Sequence, residues 1–143
     1  MYPVLLHLHS YLSYLVLAAL FFATLSSFFG FSGNRPFTER DRKVALIGLI
    51  AAHTQLLIGL ILYFVSPRGI ANLSAATMKD SASRLAALEH PLTNLIAIIL
   101  ITVGYSRMKR LKNDRARFRS VFLLYGLGLA LILSRIPWRN WIG

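Results

Sequence analysis

Four long apolar runs separated by short polar stretches dominate the chain. They cover about residues 4–29, 44–65, 85–105 and 121–136. A helix needs roughly 20 predominantly apolar residues to cross the hydrocarbon core of a bilayer, and the runs are of about that length. The pattern predicts an all-α membrane protein, with residues 1–143 forming a single four-transmembrane-helix bundle.

Polar residues mark where the helices begin and end. Thr38 followed by Glu39 and Asp41 is typical of a helix start, because carboxylates in the first turn interact favourably with the positive end of the helix dipole. Ser66-Pro67 ends the second run. The polar stretch 71–84 is expected to hold a short interfacial helix.

The chain is strongly basic, with a formal net charge of +11 from 16 Lys and Arg against 5 Asp and Glu. In a soluble protein such a charge suggests nucleic-acid binding. Here the basic residues lie in the breaks between apolar runs, and 56% of the chain is hydrophobic. Basic residues in those positions orient a membrane protein and meet lipid headgroups, so we expect no nucleic-acid partner.

Basic residues are concentrated in the first and third breaks. These breaks hold Arg35, Arg40, Arg42, Lys43, Arg107, Lys109, Arg110, Lys112, Arg115, Arg117 and Arg119, and the remaining five are Arg68, Lys79, Arg84, Arg135 and Arg139. The positive-inside rule then places both termini on the outer, periplasmic side of a bacterial inner membrane. Trp138 and Trp141 fit an outer aromatic anchor. The expected partners are membrane lipids, with anionic headgroups at the cytoplasmic face.

Histidine is the strongest metal ligand available, because the chain has no cysteine and therefore no thiolate site or disulfide. Ionisable groups within the hydrocarbon are costly and usually functional. All four histidines lie in the apolar runs, namely His7, His9, His53 and His90.

Depth along the helices groups these histidines. In the predicted topology, His9 and His90 lie at similar depth in the outer half, and a rise of about 1.5 Å per residue puts His53 roughly 8 Å deeper. His7 and His9 are two residues apart and point to nearly opposite sides of their helix. We therefore expect a structural role for His7.

Imidazoles from two helices of a bundle are suitable axial ligands for haem b. Cations for the propionates are available at the same end, because Arg84 precedes the third run and Arg135 ends the fourth. Glu89 is expected to tune the neighbouring imidazole or to accept a proton. The candidate metal ligands are His9, His53 and His90, and the candidate haem-binding residues are these three with Arg84, Arg135 and Glu89.

Three alternatives stay open. The three histidines and Glu89 also match the ligand types of a non-haem iron or zinc site, although no HxxxH or HExxH spacing places two ligands on one helical face. A transporter is less favoured, because Glu89 is the only carboxylate near the membrane interior. A small chain without room for a soluble domain also fits a non-catalytic accessory or structural subunit of a larger membrane complex.

Several stretches resemble small bacterial four-helix membrane proteins labelled cytochrome b-like. The similarity runs the whole length of the chain and rests on Leu8-His9-Ser10, His53-Thr54-Gln55-Leu56-Leu57-Ile58-Gly59-Leu60, Leu62-Tyr63-Phe64, Ser66-Pro67, Met78-Lys79-Asp80, Glu89-His90-Pro91 and Ile136-Pro137-Trp138. The resemblance implies that His9, His53 and His90 are the marked histidines and that the cofactor is haem b.

The chain departs from those proteins at two places. Ser13-Tyr14 stands where Arg-Trp is frequent, and Gly104-Tyr105-Ser106 stands where a further histidine often ends the third helix. We therefore expect one haem.

The resulting hypothesis is a haem-b membrane cytochrome involved in electron transfer, with His90 as one ligand and His9 or His53 opposite it. Quinone or quinol, a redox protein, a larger membrane complex and further copies of the chain are candidate partners.

Overall fold

The computed structural model describes residues 2–136, and every regular element in that range is a helix. The α-helices are, in chain order, α1 (Tyr2–Ser32), α2 (Glu39–Val65), α3 (Ala75–Lys79), α4 (Ser81–Arg84), α5 (His90–Arg110) and α6 (Asp114–Ser134). A 3-10 turn at Ile70–Asn72 follows α2, and a π-helical turn at Leu85–Glu89 joins α4 to α5.

Four helices are long and apolar enough to cross a membrane. They are α1, α2, the continuous helix Ser81–Arg110 and α6. This confirms, within the described residues, an all-α fold with four helices long and apolar enough to span a membrane. The predicted anchor residues Trp138 and Trp141, together with Arg139, lie outside those residues.

The helices extend beyond most of the predicted apolar runs. Helix α2 begins at Glu39, as Thr38 and the two acids predict, and α6 begins at Asp114, seven residues before its apolar run. Only the end of α6, at Ser134, falls short of the predicted end at residue 136. A hydropathy run stops at the first charge, whereas a helix can continue with its charged side chains in the headgroup region.

Neighbours in the chain are also neighbours in the bundle. Helix α1 packs against α2 and α6, and α5 packs against α6 and α2, with the α2–α5 contact the least extensive. The core lies where these faces meet and includes Leu20, Ile101, Val121 and Tyr125. The Tyr125 hydroxyl donates to the Ala45 carbonyl at 2.7 Å, so the polar end of this buried ring has a partner.

The connections at residues 33–38 and 111–113 meet at one end of the bundle, here called the basic end. The Arg115 guanidinium lies 4.0 Å from the centre of the Phe31 ring, and Arg35 lies 4.9 Å from that of Phe118. Arg35 also donates to both oxygens of Asp41 at 3.0 Å. Cation–π contacts therefore hold this end of α1 and the first connection against α6, and the ion pair ties the connection to the start of α2.

Candidate functional site

Two of the predicted ligands meet at the opposite end of the bundle. The imidazoles of His9 on α1 and His90 on α5 have ring centroids 6.3 Å apart, with their planes at 85°. The prediction that these two residues share a depth is therefore confirmed. Two imidazoles bound to opposite sides of one metal ion would have centroids roughly 6 Å apart, given metal–nitrogen bonds of about 2.0 Å.

The position of His90 depends on an irregular turn that Pro91 explains. Proline has no N–H and its ring crowds the carbonyl four residues earlier, which here belongs to Ala87. The helix widens to a π turn at Leu85–Glu89, where the His90 N–H bonds to the Leu85 carbonyl. The Tyr63 hydroxyl of α2 donates to the Ala87 carbonyl at 2.7 Å. A side chain from another helix thus replaces the missing backbone donor.

Hydrogen bonds fix the ring of His90 in one tautomer. Its Nδ1 lies 2.9 Å from the Arg135 carbonyl oxygen, which can only accept, so Nδ1 carries the hydrogen. Nε2 then carries a lone pair, and the Asn94 amide nitrogen lies within hydrogen-bond distance of it, at 3.2 Å. Metal-binding histidines commonly donate their other ring N–H to a backbone carbonyl in this way. His90 is therefore in the form in which Nε2 can bind a metal.

His9 is held by α2. The Gln55 amide donates to the His9 carbonyl at 2.8 Å and to the Ser13 hydroxyl at 2.6 Å. The absent side chain of Gly59 makes room for the imidazole, because a Cβ there would lie 3.3 Å from the His9 Cε1. Small residues at such positions allow close approach between helices.

Three buried polar atoms around this pair have no hydrogen-bond partner among the described residues. They are His9 Nδ1, Gln55 Oε1 and Asn94 Oδ1. Buried polar atoms are nearly always hydrogen-bonded, so three unpaired ones around one pair of imidazoles indicate that polar partners are missing there. Two imidazoles from different helices match the ligand type of a haem b.

Charged residues flank the pair. Arg84 Nε donates to Glu89 Oε2 at 2.8 Å, and Arg135 Nε lies 3.8 Å from Glu89 Oε1. Glu89 therefore forms ion pairs with the two arginines predicted for propionates, and within the described residues it makes no hydrogen bond to His90. Asp80 accepts hydrogen bonds from the Ser83 amide and hydroxyl, which lower the pKa of its carboxyl and cap α4 ahead of Arg84.

His53 and His7 lie apart from the pair. His53 is exposed on α2, with Nε2 2.8 Å from the Thr102 hydroxyl oxygen of α5. It precedes Gly59 by six residues, which is about 9 Å along a helix. His7 stacks on Tyr11 with ring centroids 6.3 Å apart. Within residues 2–136 no three His, Asp or Glu side chains converge as a metal-ion site, so the non-haem alternative gains no support.

Several residues around the pair escaped the sequence-based prediction. Sequence analysis did not single out Tyr63, Asn94 or Gly59 as site residues. The sequence does hold a local signal for Asn94 and for the carbonyl to which Tyr63 bonds. Asn94 follows His90 by four residues and so shares its helical face. Pro91 signals an unpaired carbonyl at Ala87, although nothing in the sequence says that Tyr63 would reach it.

Comparison with known proteins does not place the chain in a family. No family model, curated protein or solved structure matches it. Functional inference therefore rests on the residues and geometry above.

Proposed function

We propose that the chain is a haem-b-binding membrane cytochrome that takes part in electron transfer, and that His9 and His90 would hold the haem iron. The observation that carries this proposal is the pair of imidazoles from α1 and α5, whose ring centroids lie 6.3 Å apart at one end of the bundle. The resemblance to cytochrome b-like membrane proteins supports the same cofactor. Haem b, when bound, would take up and release one electron.

The surrounding residues would set the properties of the site. Hydrogen bonding from His90 Nδ1 to the Arg135 carbonyl orients that ring and raises its basicity as a ligand. Gln55 holds the backbone at His9, and Gly59 leaves its ring the space it needs. Arg84 and Arg135 supply cations at the same end, shared with Glu89. Ligand type, hydrogen bonding and burial are the means by which a protein tunes a haem potential.

Absorption spectra of single histidine variants test this assignment. Purified wild-type protein should show a strong Soret band and, when reduced, the sharp visible bands of low-spin haem. His9→Ala and His90→Ala each remove one axial ligand, so each should lose the low-spin bands or the haem itself. His7→Ala is the matched control, since His7 stacks on Tyr11 away from the pair, and it should keep the wild-type spectrum.

Two results would overturn the assignment. One is colourless wild-type protein from haem-replete cells. The other is an unchanged low-spin spectrum in His9→Ala or His90→Ala. A low-spin spectrum lost only in His53→Ala would show that His53 is the ligand in place of that histidine.

We further propose that the chain lies in a bacterial inner membrane with the basic end in the cytoplasm. Arg115, Arg117 and Arg119 lie in the first two turns of α6, where positive charge is unfavourable to the helix dipole. Anionic headgroups would compensate that charge and also satisfy the positive-inside rule. Both termini would then face the periplasm.

A further inference from the structure

The α2–α5 contact carries a polar group that the proposed haem site does not use. His53 lies near the middle of α2, which spans residues 39–65, and its side chain is exposed at the surface of the bundle. In a membrane-spanning helix that surface faces hydrocarbon. Polar side chains at such positions are rare, because lipid offers them no hydrogen-bond partner.

Hydrogen bonding around Thr102 determines what His53 can offer. The Thr102 hydroxyl donates its one hydrogen to the Ile98 carbonyl at 2.7 Å. The 2.8 Å contact between His53 Nε2 and the Thr102 oxygen must then have Nε2–H as the donor. A neutral imidazole protonated at Nε2 has a lone pair at Nδ1. No described residue hydrogen-bonds to that atom.

The residues one helical turn from His53 and from Thr102 include exposed apolar side chains. Ile50 and Leu57, one turn to either side on α2, are 55% and 61% exposed, and Ile99 on α5 is 54% exposed. A ligand here would need one O–H donor on an otherwise apolar body, and it would have to arrive through the lipid.

We propose that His53 Nδ1 is the binding point for the hydroxyl of a membrane quinol on the surface formed by α2 and α5. A quinol has phenolic O–H donors on an apolar ring, whereas the corresponding quinone has only acceptors. Nδ1 therefore selects the reduced form. The choice of a quinol over other hydroxylated lipids rests on the proposed electron-transfer function. The hydrogen-bond acceptor at His53 Nδ1 does not depend on that function.

Binding of decylubiquinol and decylubiquinone to the full chain in phosphatidylcholine nanodiscs, measured anaerobically, tests this site. Wild-type protein should bind the quinol more tightly than the quinone. His53→Leu should weaken quinol binding about five- to tenfold, the effect of one neutral hydrogen bond, and abolish the preference. Thr54→Val is the matched control, since its hydroxyl bonds to the Ile50 carbonyl of its own helix, and it should bind as wild type.

The tautomer gives a second, independent readout. In protein labelled with ¹⁵N-histidine, one resonance of an unprotonated Nδ1 in the wild-type spectrum should be missing in His53→Leu, and in wild type it should be shifted by the quinol and not by the quinone. Equal binding of quinol and quinone by wild type, or an unchanged quinol affinity in His53→Leu, would overturn the proposal. Neither measurement involves haem, so colourless protein that still prefers the quinol would refute only the cytochrome assignment.

Discussion

Pro91 has no N–H, so the Ala87 carbonyl lacks its usual backbone donor. This irregularity affects the position of the neighbouring candidate ligand, His90. The Ala87 carbonyl, fully buried, has its hydrogen bond from Tyr63 on another helix. The same π turn sets the direction of His90. A packing residue of α2 therefore contributes to the position of a candidate ligand on α5.

Replacing Tyr63 by phenylalanine should destabilise the protein by about 1–3 kcal/mol, because the buried Ala87 carbonyl would lose its donor. Thermal unfolding in detergent, followed by circular dichroism, measures the effect. Tyr11→Phe is the control, since Tyr11 is 71% exposed, and it should unfold as wild type. Equal unfolding temperatures for Tyr63→Phe and wild type would show that the hydrogen bond contributes nothing to stability.

At the scale of elements, the sequence predicts that four long helices exist, but it does not predict most of their ends. Apolar length alone identifies a spanning helix. The basic residues Arg107, Lys109 and Arg110 end the apolar pattern, yet they form the last turn of α5, where positive charge is favourable to the helix dipole. The π turn at Leu85–Glu89 does not change the pattern of apolar and polar residues, so that pattern does not predict the extra residue in the turn.

Close packing of α5 on α6 depends on Gly128. A Cβ there would lie 2.9 Å from the Ala97 carbonyl oxygen and 2.8 Å from the Ile101 Cγ1, so the two helices would have to separate. Gly128→Ala should therefore destabilise the bundle by about 1–3 kcal/mol in a detergent unfolding assay.

Gly126 provides the matched control on the same helix. A Cβ there would lie 3.3 Å from Cγ2 of Thr24, the end of a side chain, and alanine is the better helix former. Gly126→Ala should be close to neutral. Equal losses in the two variants would contradict the close α5–α6 contact.

Considered as a whole, the molecule has two chemically different ends. Depth estimates predicted that His9 and His90 lie at a similar level in the bundle, because rise per residue is nearly constant along a helix. They could not assign His53, because its direction depends on how each helix is rotated about its axis. In the structure α2 points Gln55 toward α1 and His53 toward α5.

Orientation in the membrane can be measured directly, because the chain has no cysteine of its own. A membrane-impermeant maleimide should label Ala71→Cys in intact spheroplasts and Lys112→Cys only after permeabilisation. The reverse pattern would place the basic end outside. Wild-type protein, without a thiol, sets the background.

The most direct test of the paired-ligand account is the low-temperature electron paramagnetic resonance spectrum of the oxidised, purified protein. Two histidines holding the haem iron would give a low-spin ferric signal, which should be lost in His90→Ala. The absence of a ferric haem signal, or a purely high-spin signal in the wild type, would contradict ligation by His9 and His90.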